Sequence, residues 1–429
     1  MKVIETQSAD FEAQFASLLT RGAMDIKKVS HAVEGIIAEV RAKGDGALIE
    51  QIGRFDRWQP ASAADLVISP AQMKKAWEAT DKKLQAALEL AAKRIRAFHE
   101  KQLPKSWFDF DDNGTMLGQK VTPVDRAGLY IPGGKAAYPS SLLMNAIPAQ
   151  VAGVKELVVC VPAPENELSP LVLAAAHLCG IEKLFKVGGA SAIAAMAYGT
   201  ASIPKVDVIT GPGNIFVATA KKLVFGDVNI DMIAGPSEIG IIADDSAKPS
   251  QLAIDLLSQA EHDEMASSIL ITPSKDLALK VVGEIYHTLN RIERAAIARD
   301  SIESRGAVIV TKNLDEAVKL MNRIAPEHLE VITKNPHALL PHIRHAGAIF
   351  LGEFTPEAIG DYVAGPNHTL PTGGTARFFS PLGVENFMKK SSIISFSKKG
   401  FAEVAEACSE LAKTEGLTAH GLSVTERLG

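Results

Sequence analysis

The chain has 429 residues, 47% of them hydrophobic and 22% charged, with 45 Lys and Arg against 50 Asp and Glu and a formal net charge of −5. This length predicts two or three domains around a large buried core, and the slight acidic balance excludes a nucleic-acid backbone binder, which carries a basic surplus or stripe. No apolar run reaches the roughly 18 residues of a membrane helix, and the opening Met1-Lys2-Val3-Ile4-Glu5-Thr6 has no basic-then-apolar export pattern, so no membrane partner and a cytoplasmic setting are expected.

Residues 1–25 read as an N-terminal arm, and from there to about 120 the pattern is helical. Val29, Val33, Ile36, Ile37 and Val40 recur at helical spacing over 28–43, and 70–102 reads as one long amphipathic helix. Trp58, Trp77 and Trp107 all fall in this region and are expected in the core. Beyond about 125 short apolar runs alternate with helical stretches. Strands are predicted at 128–131, 157–161, 206–210, 239–243, 269–272, 307–311, 329–333 and 348–351. Helices between them are predicted at 141–151, 171–178, 216–224, 251–260, 277–287 and 314–324. Such alternation predicts an α/β fold with parallel sheets, and eight strands over this length suit two doubly wound (Rossmann-like) sheet domains. Residues 381–390 read as an irregular connector, 391–396 as a strand and 402–415 as a helix, giving a small C-terminal module. The expected boundaries are 26–127 with 239–380 for the first α/β domain, its N-terminal part helical. The second α/β domain is expected at 128–238 and the terminal module at 381–429. Cys160, Cys179 and Cys408 are odd in number and far apart, which is neither a disulfide framework nor a metal knuckle. Cys160 lies in an apolar strand pattern and reads as a buried structural thiol in a reducing compartment.

Several segments carry side chains capable of chemistry. In Gln259-Ala260-Glu261-His262 the amide and the imidazole are three apart and share one helical face, where they could hold a divalent metal, although polar helix ends of this kind usually just meet solvent. Glu327-His328 sits where a helix gives way to a strand and makes a usable acid/base pair, although a capping loop would look the same. The Gly- and Pro-rich loop 359–374 contains Asp361, a candidate ligand, and His368, a candidate substrate contact; long ordered loops of this kind are often functional. Glu415 ends the last predicted helix, which Gly416 terminates, and His420 lies beyond it, where a histidine needs a partner from elsewhere to matter. Glycine turns after strands (Pro132-Gly133-Gly134-Lys135, Gly188-Gly189-Ala190, Gly211-Pro212-Gly213-Asn214) match neither standard phosphate loop, yet one that feeds a helix N-terminus can bind a pyrophosphate.

Read together, the stretches LYIPGGKAAYPSSLLMNAIPAQVAGV, ITGPGN, IDMIAGPSE, QAEHDEMA, APEHLEV, GDYVAGPNHTLPTGGTARF and EGLTAH, in this order from about 128 to 420, resemble the histidinol dehydrogenase family. The resemblance implies zinc-dependent, NAD-dependent four-electron oxidation of L-histidinol to L-histidine through the aldehyde. It implies one zinc per subunit, held by Gln259, His262, Asp361 and His420. Glu327 and His328 would be the acid/base pair. Ser237, His368 and Glu415 would contact substrate beside the zinc ligands and His328, and Tyr130, Asn214 and Ser191 would contact NAD. Where the family often has glutamine after Gly-Gly-Ala, this chain has Ser191. The resemblance further implies a homodimer with shared active sites, Glu415 and His420 serving the partner. The chemistry agrees: a metal clamp on the two nitrogens of an amino-alcohol fixes its carbinol carbon, and a base takes the hydroxyl proton as hydride leaves. A zinc hydrolase of the same architecture, a two-lobed binding protein and a paralogue oxidising another amino-alcohol are the alternatives.

Overall fold

The computed structural model describes residues 1–20, 26–133 and 138–428. Gly134 and Lys135 of the first glycine turn, and residues 21–25 of the arm, lie outside them. The chain divides into two units, one of residues 1–102 and 125–387, the other of 103–124 and 388–429.

In the large unit the first elements are β1 (Lys2–Glu5), α1 (Phe11–Leu19), α2 (Ile26–Lys43), α3 (Asp45–Phe55), β2 (Val67–Ile68), α4 (Pro70–Ala79) and α5 (Lys82–His99). The small unit then supplies β3 (Trp107–Phe110) and β4 (Met116–Pro123). The large unit resumes with β5 (Arg126–Tyr130), α6 (Pro139–Ala152), β6 (Glu156–Cys160), α7 (Pro170–Leu178), β7 (Leu184–Phe185), α8 (Gly189–Tyr198), β8 (Val208–Thr210), α9 (Ile215–Val224) and β9 (Asn229–Ile230). There follow β10 (Glu238–Ala243), α10 (Pro249–Ala260), β11 (Ser267–Thr272), α11 (Lys275–Thr288), α12 (Ala295–Arg305), β12 (Ala307–Val310), α13 (Leu314–Ile324), β13 (His328–Ile332), α14 (Pro336–Leu339), β14 (Ala348–Leu351) and α15 (Glu357–Tyr362). The small unit closes the chain with β15 (Met388–Ser395), α16 (Lys398–Thr414) and α17 (Thr418–Thr425).

The two doubly wound sheets expected from the sequence are present. One runs β1-β12-β11-β10-β13-β14, with every neighbouring pair parallel. Its inner strands β10–β13 are buried on both faces, so they read as near-continuous runs such as Ser-Ser-Ile-Leu-Ile-Thr in β11. The other runs β2-β7-β6-β5-β8-β9, parallel except for the two-residue edge strand β2. Helices α2, α3 and α8 cover one of its faces through Val33, Ile37, Val40, Leu48, Ile52 and Ile193. The order in which strands are added reverses between β10 and β13 in the first sheet and between β5 and β8 in the second. These crevices are where open α/β sheets place ligands.

Several expectations need correction. The predicted helix over 70–102 is two helices: Thr80 is extended (ψ 138°), and Asp81 caps α5 by accepting from the Lys83 amide. Trp107 is not in the core; it is 54% exposed on β3, and Trp58 and Trp77 are half-buried. The expected connector 381–390 ends early, since Met388 already pairs with Pro123 in an antiparallel sheet ordered β15-β4-β3. Strands β1, β2, β3, β4, β7 and β9 and helices α1, α3, α8, α12, α14, α15 and α17 were not foreseen.

Candidate active site

Beside the switch point of the first sheet, β10 and β13 start together, with Ile239 in register with His328. The site gathers at this amino edge, opposite to the usual carboxyl-edge location, so Glu327-His328 belongs to it although the pair precedes its strand. The start of β10 grips both residues: Glu238 N donates to Glu327 Oε2 at 2.9 Å, and His328 Nδ1 lies 3.2 Å from Glu238 O. A carbonyl only accepts, so Nδ1 carries the proton and Nε2 is the nitrogen open to chemistry. That Nε2 is buried and has no hydrogen-bond partner among the described residues; its nearest anion is Asp361 Oδ1 at 3.6 Å.

Two further carboxylates flank the ring, with Glu327 Oε2 and Glu357 Oε1 each 3.7 Å from Nδ1. Burial alone would depress His328, but the charges of Glu357, Glu327 and Asp361 raise it well above the usual histidine value. Burial pushes Glu327 and Glu357 up to about 8 each. For Asp361 burial acts upward, but the charge of His328 3.6 Å away outweighs it and holds the carboxyl low. The cluster thus mixes groups poised to hold protons with one that stays ionised.

Glu357 and Asp361 stand four apart on one face of α15. Gly360 between them allows the approach: a Cβ there would lie 2.5 Å from the Phe350 ring. Ligand atoms of His262, Glu357 and Asp361 lie within 4.8 Å of one another. Gln259, in the last turn of α10 and fully buried, directs its amide nitrogen at the acceptors Glu238 O and Glu357 Oε1, each at 3.1 Å. Its carbonyl oxygen remains the end available to a cation. An imidazole, two carboxylates and an amide oxygen form a donor set that suits zinc.

His368 joins the cluster through Nδ1, 2.9 Å from Asp361 O, and its Nε2 lies 3.3 Å from Ser141 Oγ at the start of α6. Asn145 donates to Ser141 O, and Thr210 donates to Asn145 Oδ1, both at 2.8 Å. This buried chain ties the amino edge of the first sheet to the carboxyl edge of the second. On that second edge a cavity of about 310 Å³ is lined by Tyr130, Gly188, Gly189, Ser191 and Asn214 together with α3. Tyr130 Oη accepts from Gly189 N at 3.1 Å, and burial drives its pKa up to about 12. Asn214 caps α9 by accepting from Phe216 N and Val217 N.

Of the residues expected from the sequence, Gln259, His262, Glu327, His328, Asp361 and His368 gather in one cluster. Ser237 adjoins it, one residue before β10. Tyr130, Ser191 and Asn214 share the second-sheet cavity. Glu415 and His420 lie exposed in the small unit, at the end of α16 and in α17. Glu357 and Glu238 were missed. The i, i+4 spacing of Glu357 and Asp361 was the available signal for the first, obscured because 357–362 reads as part of a loop.

The histidinol dehydrogenase family model matches residues 19–428. A histidinol dehydrogenase of Sulfurimonas denitrificans is 67% identical over 423 residues, 99% of this chain and 98% of the relative. One from Wolinella succinogenes is 64% identical over 428 residues, 100% and 99% of the two chains. The crystal structure of histidinol dehydrogenase from Elizabethkingia anophelis superposes with a TM-score of 0.94 at 33% identity, covering 100% of this chain and 98% of that one. An acetylating aldehyde dehydrogenase from Geobacillus thermoglucosidasius shares the fold alone, with a TM-score of 0.50 at 14% identity over 91% and 98% of the two chains.

Proposed function

The chain belongs to the histidinol dehydrogenase family, enzymes that oxidise L-histidinol in histidine biosynthesis, and we propose that it does so at the His328 cluster with one zinc per subunit and two NAD⁺ used in turn. The observation that carries this assignment is the gathering of a buried imidazole, its ring of carboxyl groups and a compact donor set at one sheet edge. Gln259, His262 and Asp361 would hold zinc from one subunit, with Glu357 beside them, and His420 from the other. When bound, zinc would supply fixed positive charge that clamps the imidazole and amine of the substrate. NAD⁺ in the cavity of Tyr130, Ser191 and Asn214 would supply the hydride acceptor.

The chain's own groups manage protons and position. With the positive charge of a bound dication favouring the neutral ring, His328 Nε2, aimed by the Nδ1 bond to Glu238 O, would take the hydroxyl proton as hydride leaves the carbinol carbon. The aldehyde then adds water. Glu327, buried, gripped by Glu238 N and ionised beside a bound dication, would activate that water, and His328, its first proton released to solvent, would accept another as the second hydride leaves. Ser237, His368 and the partner's Glu415 complete the substrate contacts. Residues 128–238, with α2, α3 and β2 on the same sheet, would form the cofactor half and 239–380 the metal-binding half, so the stretch 26–127 expected with the metal half divides: its first helices and β2 join the cofactor sheet, and 103–124 joins the small unit. Among the described residues no helix is long and apolar enough to cross a membrane, and we place the enzyme in the cytoplasm as a homodimer joined through residues 381–429. On the small unit's sheet, exposed Trp107, Phe108, Phe110, Leu117 and Ile394 support such a joint. Metal analysis paired with stoichiometry tests the proposal. Two NADH should form per histidinol consumed, with turnover lost on chelation and restored by zinc. One NADH per histidinol, or turnover that survives chelation, would overturn it.

A further inference from the structure

The cavity at the carboxyl edge of the second sheet is walled on one side by α3, a helix to which no function has been attached. Gln51, Ile52 and Phe55 reach it from α3, and Asp56 from just beyond. Gln51 is 3% exposed, and an amide buried so deeply is retained with hydrogen-bond partners. Ser191, in the first turn of α8, donates its hydroxyl hydrogen to Gln51 Oε1, and Gln51 Nε2 donates to Glu39 Oε2 at 2.9 Å. These two bonds fix which end of the amide is the donor. A primary amide has two N–H groups, and among the described residues only Glu39 takes one. Of the neighbouring acceptors, Tyr130 Oη takes the Gly189 amide and Asn214 Oδ1 the amides of Phe216 and Val217, which leaves Tyr130 its own hydrogen to donate beside Gln51.

We propose that Gln51 is a dinucleotide-binding residue whose remaining N–H donates to an oxygen of the bound cofactor, and that Ser191 is the positioning residue that orients its amide. This rests on the cofactor reading of the cavity. It also changes the part expected of Ser191, whose hydroxyl hydrogen is engaged by Gln51 and which therefore acts through that amide. A Gln51 that merely joined α3 to α2 and α8 would alter stability and leave cofactor affinity alone.

The test uses the full-length, zinc-loaded enzyme and measures NADH binding by calorimetry, together with hydrogen exchange of residues 188–198. Gln51→Met keeps the length of the side chain and removes the amide. It is expected to weaken NADH about tenfold, the usual effect of one neutral hydrogen bond, with histidinol affinity unchanged. Ser191→Ala is expected to weaken NADH by less, about two- to fivefold. Ser191→Gln added to Gln51→Met returns an amide from α8 and should recover most of the lost affinity. If NADH protects 188–198 but binds Gln51→Met as tightly as the unaltered enzyme, the assignment to Gln51 is overturned and the cavity stands. If NADH leaves those amides unprotected, the cavity reading falls and the role of Gln51 with it. Should Gln51→Met not fold, Gln51→Asn, whose amide is one carbon too short, puts the same question.

Discussion

At 3% exposure His328 meets water hardly at all, so the three carboxyl groups around it set its charge. Replacing it with Gln keeps a hydrogen bond to Glu238 O but removes the base. Turnover should fall by about 10²–10⁴-fold with zinc content unchanged, as measured by steady-state rates and metal analysis on the same sample. Glu327→Gln should hurt most when the aldehyde is the substrate, because that half-reaction needs the activated water. The raised pKa values also predict how stability depends on pH. Glu327 and Glu357 rise from about 4.5 unfolded to about 8 folded, and His328 is raised as well. A group raised on folding contributes stability below its unfolded pKa, and that contribution is lost as pH climbs through the folded value. Zinc-free protein should therefore lose thermal stability between about pH 4.5 and 8, while a bound dication, which favours the ionised carboxylates, should flatten that slope. Equal slopes with zinc and with chelator would refute the placement of the metal among these groups. The histidines and Asp361 were visible in the sequence because they sit in unusual motifs. Glu357 was not, since its importance comes from a helix turn buried inside what reads as a loop.

At the scale of elements, the apolar runs of the parallel strands were legible because strands buried on both faces leave continuous hydrophobic stretches. Less was legible where packing overrode pattern. Helix α8 is so rich in small residues that it shows no amphipathic stripe, and β1 finds its register only against β12, some 300 residues away in sequence. Two elements carry tests. In α15, Gly360→Ala pushes a methyl into the Phe350 ring and shifts Glu357 and Asp361 together. Zinc affinity should drop about tenfold or more in a folded protein, read by competition with a chelating dye. The turn into α9 depends on a fully buried ion pair. Lys221 Nζ donates to Gly211 O at 2.9 Å and to Asp231, while Asp231 Oδ2 accepts from Gly211 N at 2.8 Å. Gly211 itself sits at φ +112°, where a Cβ would strike Tyr130 O. Lys221→Met strands the Asp231 charge and should cost about 3–5 kcal/mol of unfolding free energy in urea titrations, whereas the exposed neighbour Lys222→Met should change it by under about 0.5 kcal/mol.

The whole-molecule question is which subunit each zinc ligand serves. Gln259 belongs to the large unit and His420 to the small one, and the sequence alone gives no distance between them. If the tail of one protomer completes the site of its partner, two inactive variants can repair each other. In a hybrid of Gln259→Ala with His420→Ala, one site combines both defects. The other combines an intact Gln259 from one chain with an intact His420 from its mate. Random exchange of equal amounts makes half the dimers hybrid, and each hybrid carries one sound site of two, so about a quarter of unaltered activity should return. If each tail served its own chain, both sites of every hybrid would hold one defect and nothing would return. The exposed aromatic residues of β3 make the exchange itself measurable. Trp107, 54% exposed in the single chain, should become shielded in a dimer built on that sheet, so its fluorescence should shift to the red as subunits separate on dilution. Activity that returns on the same timescale as the fluorescence change would establish sharing between subunits, and complete fluorescence exchange without any activity would exclude it.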